Sequence, residues 1–199
     1  MNKIAIFGGT FDPIHSGHLN FAKEAVRVCG LDKLIFMPNY ISPFKTEQKT
    51  SSGELRYEMI EKILHYDRAF SISAYEIERD VPSYTYNTLS HFRDEYGAEI
   101  YFVLGFDSIL LLDTWHRGPD LLREFSFITT RRPGYDDHDV LEMISRFECL
   151  YGANINVLDI EAFEASSTDI RKRIRVGLPI SHLVPEEIER YINEHGLYR

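Results

Sequence analysis

The residues best suited to chemistry stand close to the start of the chain, in the run Gly8-Gly9-Thr10-Phe11-Asp12-Pro13-Ile14-His15-Ser16-Gly17-His18. Before them, Ile4-Ala5-Ile6-Phe7 reads as a short buried strand, and after them an apolar pattern of helical period begins at Leu19. Strand, glycine turn and helix start are the parts of a phosphate site, because the first N–H groups of a helix lack intrahelical partners and its dipole favours an anion. Gly8 and Gly9 let the backbone approach a ligand and take positive φ where a turn needs it. His15 and His18 each add an N–H donor, and a proton, where phosphate charge accumulates. The two commonest phosphate loops are absent: no G-x-G-x-x-G follows the strand and no G-x-x-x-x-G-K-[ST] occurs. A strand-to-helix turn with two surface histidines would account for H-x-G-H alone. It accounts poorly for the whole string at a strand–helix junction.

The elements that must hold these groups alternate along the chain. Lys3 to Phe7 reads as the first strand, and Leu19, Ala22, Val26 and Cys29 fall on one face of a helix closed by Gly30. Lys33 to Met37 is a second strand ended by Pro38, and a polar loop runs from Asn39 to Ser52. Ser51 and Glu54 form a capping box for a helix striped with Leu55, Met59, Ile60 and Ile63. Phe70 to Ser73 is a third strand, Leu89, Phe92 and Tyr96 mark a helix ended by Gly97, and Ile100 to Leu104 is a continuous apolar strand of the kind covered on both faces. Short helical pieces lead to a strand at Ser126 to Thr130, a helix over about Val140 to Leu150, a strand at Ile155 to Leu158, and helices starting near Ser167 and Pro185. This order predicts an α/β fold with a doubly wound parallel sheet, in one domain spanning residues 1–199. Ligands of such sheets bind beyond the carboxyl ends of the strands.

Composition narrows the partners. With 199 residues, 44% of them hydrophobic, the chain can bury a proper core, and the mean hydropathy of −0.26 is that of a soluble protein. No apolar run approaches a membrane span and no charged-then-apolar leader opens the sequence, so a cytoplasmic location is expected. A net charge of −9 argues against binding nucleic acid or anionic membrane, while leaving a small anion possible where positive groups converge. Cys29 and Cys149 are the two cysteines; buried apolar thiols are the expectation, and a disulfide is not.

Every remaining candidate follows a strand, as the sheet rule requires. Pro38-Asn39-Tyr40-Ile41-Ser42-Pro43-Phe44-Lys45 follows the second, Pro82-Ser83-Tyr84-Thr85-Tyr86-Asn87-Thr88-Leu89 the third, and Leu104-Gly105-Phe106-Asp107-Ser108 with Asp113-Thr114-Trp115-His116-Arg117 the fourth. Thr130-Arg131-Arg132-Pro133-Gly134 follows the fifth, and Ala165-Ser166-Ser167-Thr168-Asp169-Ile170-Arg171 the sixth. The first string resembles the signature of the nucleotidyltransferase superfamily. The whole set, spanning most of the chain, resembles the bacterial nicotinate-nucleotide adenylyltransferases, which make nicotinate adenine dinucleotide from nicotinate mononucleotide and ATP in NAD biosynthesis. The S-Y-T-Y-N-T-L and L-G-x-D-S…W-H segments point to that branch. Two positions depart from the family pattern: Phe44 where His often precedes the lysine, which leaves Lys45 alone in that loop, and Ala165 where Ile usually begins the last motif, a packing change.

The resemblance implies a Rossmann-like nucleotidyltransferase fold and a distribution of roles. His15, His18 and Arg171 are the expected catalytic groups, with His18 nearest the α-phosphate of ATP. Backbone N–H groups of Gly8, Gly9, Thr10 and Phe11 support the triphosphate, and Ser167, Thr168 and Arg171 grip its outer phosphates, an arginine fork suiting two oxygens at once. Lys45 joins them, and Gly105 and Asp107 meet the adenosine, Asp107 at a ribose hydroxyl. Thr85, Tyr86, Trp115 and Arg131 are the expected nicotinate mononucleotide contacts, Trp115 by stacking. No Lys or Arg lies within Pro82 to Leu89, so the nicotinate carboxylate would be read by the free backbone N–H groups of Thr85 and Tyr86 at a helix start. Mg²⁺ is implied by ATP, held mainly by phosphate oxygens and water rather than by protein ligands.

Each residue also has a plainer reading. Lys45 is as readily a solvated loop lysine, Trp115 a core residue and Asp107 a helix cap. Asp136-Asp137-His138-Asp139 reads as a solvated loop rather than a metal site, and His65, His91, His182 and His195 read as structural or surface groups. Two other functions compete: transfer to a different acceptor such as phosphopantetheine or glycerol phosphate, disfavoured by the tyrosine-rich segment and Trp115, and an inactive nucleotide-binding module, disfavoured by the presence of both histidines and Arg171. A homo-oligomer is left open by the sequence.

Overall fold

A computed structural model describes residues 2–40, 50–79, 82–131, 137–160 and 166–199. Among these residues the apolar runs form six strands of one sheet: β1 (Lys3–Gly9), β2 (Lys33–Pro38), β3 (Phe70–Ile72), β4 (Glu99–Val103), β5 (Ser126–Thr130) and β6 (Asn154–Leu158). Their order is β3-β2-β1-β4-β5-β6 and every neighbouring pair is parallel. The direction of winding therefore reverses at β1, whose neighbours are β2 and β4. Among the described residues seven helices connect and cover the strands: α1 (Ser16–Cys29), α2 (Gly53–Glu61), α3 (Thr85–Tyr96), α4 (Gly118–Glu124), α5 (His138–Tyr151), α6 (Ser167–Arg175) and α7 (Glu186–Glu194), with 3₁₀ turns at Leu64–Tyr66 and Phe106–Thr114.

Alternation along β1 divides the interior into two cores, because successive side chains of a strand point to opposite faces. Ala5 and Phe7 pack with Ala22 of α1, Met59 and Ile60 of α2, Ile170 of α6 and Ile188 of α7. Ile4 and Ile6 pack with Leu89 and Phe92 of α3, Leu121 of α4 and Phe147 of α5. Both faces are thus covered, which is why these strands read as continuous apolar runs. The doubly wound parallel sheet expected from the sequence is the architecture found.

Three local expectations are corrected. Gly8 and Gly9 do not leave the strand: they pair with Met37 and Pro38 of β2, and neither has positive φ. The left-handed residue is Phe11, at φ 51°. The cap of α2 is Ser52, whose hydroxyl accepts from Leu55 N–H at 3.4 Å, rather than Ser51; the Ser51 N–H is committed instead to the Asp12 carboxylate at 3.3 Å. Cys149 is exposed and Cys29 is only partly buried.

One face of α2 also carries a charge into the interior. Arg56 is 1% exposed. Its guanidinium donates to Thr10 O at 2.8 Å, Asn39 O at 2.7 Å and Ser51 O at 3.1 Å, three carbonyls from the segments that leave β1, leave β2 and enter α2. Burial lowers its pKa, and the nearby Asp12 carboxylate opposes that shift. Arg56→Ala would leave these acceptors buried and unmatched at about 1–3 kcal/mol each. We therefore expect a stability loss of about 3 kcal/mol or more, seen as a lower urea midpoint at unchanged slope, with Arg56→Lys recovering only part because an ammonium lacks the planar fork.

Candidate active site

The site grows from the N-terminus of α1. His15 is its N-cap, extended at φ −144° and ψ 171°, and no acid stands in the first turn to offset the positive helix end. The cap is reciprocal: His18 N–H donates to His15 Nδ1 and His15 N–H donates to His18 Nδ1, each at 3.3 Å. The two rings stack with centroids 3.6 Å apart. A ring nitrogen that accepts carries no proton, so both neutral imidazoles hold their proton on Nε2. Burial among Phe7, Phe11 and His15 holds the His18 pKa well below 6.5, and the proximity of His15 lowers it further. In this arrangement the N–H of each neutral ring is at Nε2, and burial favours the neutral form of His18. This narrows the expectation from the sequence, because the N–H of Ser16 is used by Leu183 O at 3.0 Å and that of His18 by His15, leaving the imidazoles as the prominent donors.

The turn between β1 and α1 is gripped from several directions. Asp12 is 2% exposed; its Oδ1 accepts from the Tyr198 hydroxyl at 2.7 Å and its Oδ2 from Ser51 N–H. The Asp12–Pro13 peptide is cis. Arg171 Nη1 donates to Asp12 O at 2.6 Å and its Nη2 to Thr168 Oγ1 at 3.3 Å, while Ser167 Oγ donates to Pro13 O at 2.9 Å. The structure thus brings His15, His18, Ser167 and Arg171 together, with α6 joined directly to the turn. Thr168 points outward and is exposed.

The pairing of β1 with β4 ends at Phe7 and Val103, whereas its pairing with β2 continues to Gly9. Gly8 and Gly9 therefore have a ladder partner on one side only, at the point where the winding reverses, which is where doubly wound sheets bind ligands. Their small size has a packing cause as well. A Cβ on Gly8 would lie 2.8 Å from the Phe102 ring, and one on Gly9 2.8 Å from the Phe11 ring.

Across the gap, β4 leads into Gly105 and the 3₁₀ turn that carries Asp107, both exposed. A Cβ on Gly105 would meet nothing nearer than Ser108 Oγ at 3.9 Å, so the protein itself does not require glycine there. Trp115 ends this turn, partly buried, with its ring edge-on to Phe102 at 6.2 Å. Helix α3 begins at Thr85, as expected, and its N-cap Tyr84 supplies no side-chain cap. The Tyr86 side chain is core: it is 8% exposed, its hydroxyl donates to Glu124 at 3.1 Å, and the Arg117 guanidinium lies 3.8 Å from its ring centre. Only the backbone of Tyr86 remains available at the helix start. The exposed Tyr84 ring sits 4.6 Å from that of His116 and joins this helix start to the loop after β4. Arg131, exposed beyond β5, stands 3.7 Å from Asp137 and apart from the histidine pair's own contacts. Lys45, Phe44 and Ala165 lie outside the described residues.

A cleft of about 220 Å³ adjoins the α3 start, lined by Tyr75, Glu76, Arg79, Ser83, Tyr84 and Thr88 among others. Glu76 is buried and accepts from Thr88 Oγ1 at 2.6 Å; burial raises its pKa, against the hydrogen bonds from Thr88 and Ser83. Ser83 Oγ in turn accepts from Tyr40 N–H at 3.3 Å, linking the exit of β2 to this helix start. Sequence reasoning missed Arg56, Glu76 and Tyr198; Tyr84, His116 and Asp12 stood in its motifs without a role of their own. The helical stripe of Arg56, Met59, Ile60 and Ile63 could have flagged a charge on a buried face; Tyr198 carries no local signal at all.

With this geometry, the comparisons are consistent. The cytidylyltransferase-like family model matches residues 6–173. Relatives named nicotinate-nucleotide adenylyltransferase include one from Clostridium novyi, 38% identical over 100% of both chains, and one from Clostridium acetobutylicum, 42% identical over 100% of both. Among solved structures, Plasmodium falciparum nicotinic acid mononucleotide adenylyltransferase complexed with NaAD has the same fold, with a TM-score of 0.82 at 19% identity over 100% of this chain and 98% of that one.

The low His18 pKa has a measurable sign. On acidification the unfolded imidazole takes a proton near its ordinary pKa of 6.5, while the native one does not. The unfolded state then binds more protons, so stability falls as pH falls below that point, by up to about 1.4 kcal/mol per pH unit. His18→Ala removes this component. The stability difference between the wild type and His18→Ala, measured by urea unfolding, is therefore expected to be constant above pH 7 and to move against the wild type as pH falls through 6.5. A difference that stays constant down to pH 5 would show that the native ring protonates as freely as the unfolded one.

Proposed function

This chain belongs to the cytidylyltransferase-like family, among the nicotinate-nucleotide adenylyltransferases, and on that footing we propose that it transfers the adenylyl group of ATP to nicotinate mononucleotide. The products are nicotinate adenine dinucleotide and pyrophosphate, a step of NAD biosynthesis. The observation that carries this reading is the neutral histidine pair at the start of α1, at the reversal point of the sheet, with the N-terminus of α6 fastened beside it.

The 5′-phosphate of the mononucleotide is already an anion and can attack the α-phosphorus without a base. Catalysis then consists of positioning and of stabilising charge on the transferring group. His15 and His18 donate from Nε2 to phosphate oxygens, His18 nearest the α-phosphate. As a neutral donor His18 remains competent across the pH range in which an imidazolium would lose its charge. Arg171 supplies fixed positive charge; the guanidinium that clamps Asp12 O retains further N–H groups for the outer phosphates, with Ser167 and Thr168 beside it. The Gly8 to Phe11 backbone lies along the triphosphate, Gly105 admits the adenosine at close range and Asp107 takes a ribose hydroxyl. Lys45 joins the outer phosphates in this reading. Trp115 stacks on the pyridine ring, with Thr85 and Tyr86 giving backbone N–H groups to the carboxylate and Arg131 assisting the mononucleotide.

Mg²⁺ enters this scheme on the triphosphate and its water. The donor set fits that role: among the described residues no three histidines, cysteines or acids converge, and the Asp12 carboxylate is occupied by Tyr198 and Ser51. When bound, the ion neutralises charge on the phosphate oxygens. No helix of the described residues is long and apolar enough to cross a membrane, and the net charge of −9 disfavours nucleic acid, so small nucleotides met in the cytoplasm are the proposed partners. We read residues 1–199 as one domain and leave a homo-oligomer to measurement.

Product analysis by mass after incubation with ATP, Mg²⁺ and each mononucleotide tests the activity directly. Nicotinate mononucleotide is expected to be preferred over the nicotinamide form by at least about tenfold in kcat/KM, since one hydrogen bond to a charged group contributes about 1.5–3 kcal/mol. Equal values would move the protein to dual specificity. His18→Ala is expected to lower kcat by about two to three orders of magnitude, the range seen when one transition-state donor is lost. A near-normal kcat in that variant would remove His18 from the mechanism.

A further inference from the structure

Asp12 lies in the turn on which the proposed chemistry depends, and its carboxylate receives a hydroxyl from the far end of the sequence. The Tyr198 hydroxyl reaches Asp12 Oδ1 at 2.7 Å across a sequence separation of 186 residues. Tyr198 is itself left-handed, at φ 65°, a conformation an L-residue keeps only where its surroundings over-determine it. Its ring packs against the core that covers α1 and α7. Burial and the facing carboxylate both push its pKa far above that of an ordinary tyrosine, so the hydroxyl keeps its proton and stays a donor.

We propose that Tyr198 is a positioning residue for adenylyl transfer: its hydroxyl fixes the Asp12 carboxylate and, through it, the left-handed Phe11 that sets the His15–His18 pair. This inference rests on the function proposed above for the same site. The path is short. Thr10 O is held by Arg56 and Asp12 O by Arg171, so Phe11 is caught between two anchored peptides. The Phe11 ring stands edge-on to His18 at 5.1 Å and covers Gly9. A left-handed aromatic residue is disfavoured in itself and relaxes once an anchor is removed. Its ring would then no longer hold His18 in register with the phosphate. The hydrogen bonds of Tyr198 and Asp12 run to each other, to Ser51 and to Arg171, and none reaches the α3 start, so mononucleotide binding lies outside this path.

Tyr198→Phe keeps the ring and its packing and removes the one donor. The expected result is a kcat lower by about tenfold with the KM for nicotinate mononucleotide within twofold of the wild type, because about one hydrogen bond's worth of alignment is lost. In an Asp12→Ala background the same substitution should have no further effect on kcat, since both act through one contact. Imidazole NMR signals give a readout that needs no turnover: those of His15 and His18 should shift in Tyr198→Phe while that of His91, on α3, stays in place. A kcat within twofold of wild type, additive losses in the double variant, or unmoved His15 and His18 signals would each overturn the proposal. If the wild type instead fails to make nicotinate adenine dinucleotide, the functional reading fails on its own, and the imidazole signals still decide whether Tyr198 holds the turn.

Discussion

Arg56 and Asp12 have both left water, and burying an ion costs several kcal/mol unless its hydrogen-bonding capacity is matched. They do not meet in a direct ion pair. Instead the guanidinium spends its donors on three backbone carbonyls, and the carboxylate takes a hydroxyl and a backbone N–H. These partners come from four segments, with Ser51 serving both charges, its carbonyl toward Arg56 and its N–H toward Asp12. Satisfying the two charges therefore fastens the ends of β1 and β2, the start of α2 and the neighbourhood of α7 to one turn. Arg171 and Ser167 complete the arrangement by binding the carbonyls of Asp12 and Pro13. The turn is rigid because it is the meeting point of buried polar groups that have no alternative partners in an apolar core.

That rigidity holds two histidines in place at the start of α1, where they cap the helix and, in the proposed function, also meet the phosphates. Capping a helix with an imidazole is unusual beside the common Ser, Thr, Asp and Asn caps. Here it fixes which ring nitrogen accepts and which donates, and it ties the start of α1 to the uncharged form of both rings. Phe102 extends the constraint to the other side of the cleft, since the same ring forbids a side chain at Gly8 and supports the edge of Trp115. The two halves of the sheet are thereby registered through one aromatic residue.

Much of this was legible in the sequence. The strand and helix order follows from short apolar runs and helical stripes, and the strings that hold His15, His18 and Thr85 fall at helix starts, as their spacing predicts. What escaped was non-local. Gly8 and Gly9 look like a turn, but β2 supplies ladder partners that keep them in the strand, and the left-handed position falls two residues later on Phe11. Ser51 looks like the cap of α2, but Asp12 claims its N–H and the cap moves to Ser52. Tyr86 is expected to act through its backbone N–H, and the placing of its side chain in the core, against Glu124 and Arg117, could not be read from the sequence. Tyr198 shows nothing in its neighbourhood and Arg56 only its place on an apolar helical stripe, because the partners of both are fixed only by the closed fold.

The contacts that finish the turn come from late in the chain: Ser167 to Pro13 and Arg171 to Asp12 span 154 and 159 residues, and Tyr198 to Asp12 spans 186. During synthesis the strands from β1 to β5 can pair as they emerge, since each adjoins an earlier one. The phosphate turn cannot take its final shape at that stage, because its anchors have not yet been translated. A ribosome-bound nascent chain would hold most of its sheet and both histidines and still lack the contacts that finish the turn. The turn between β1 and α1 thus closes only after the last helix and the residues that follow it have emerged.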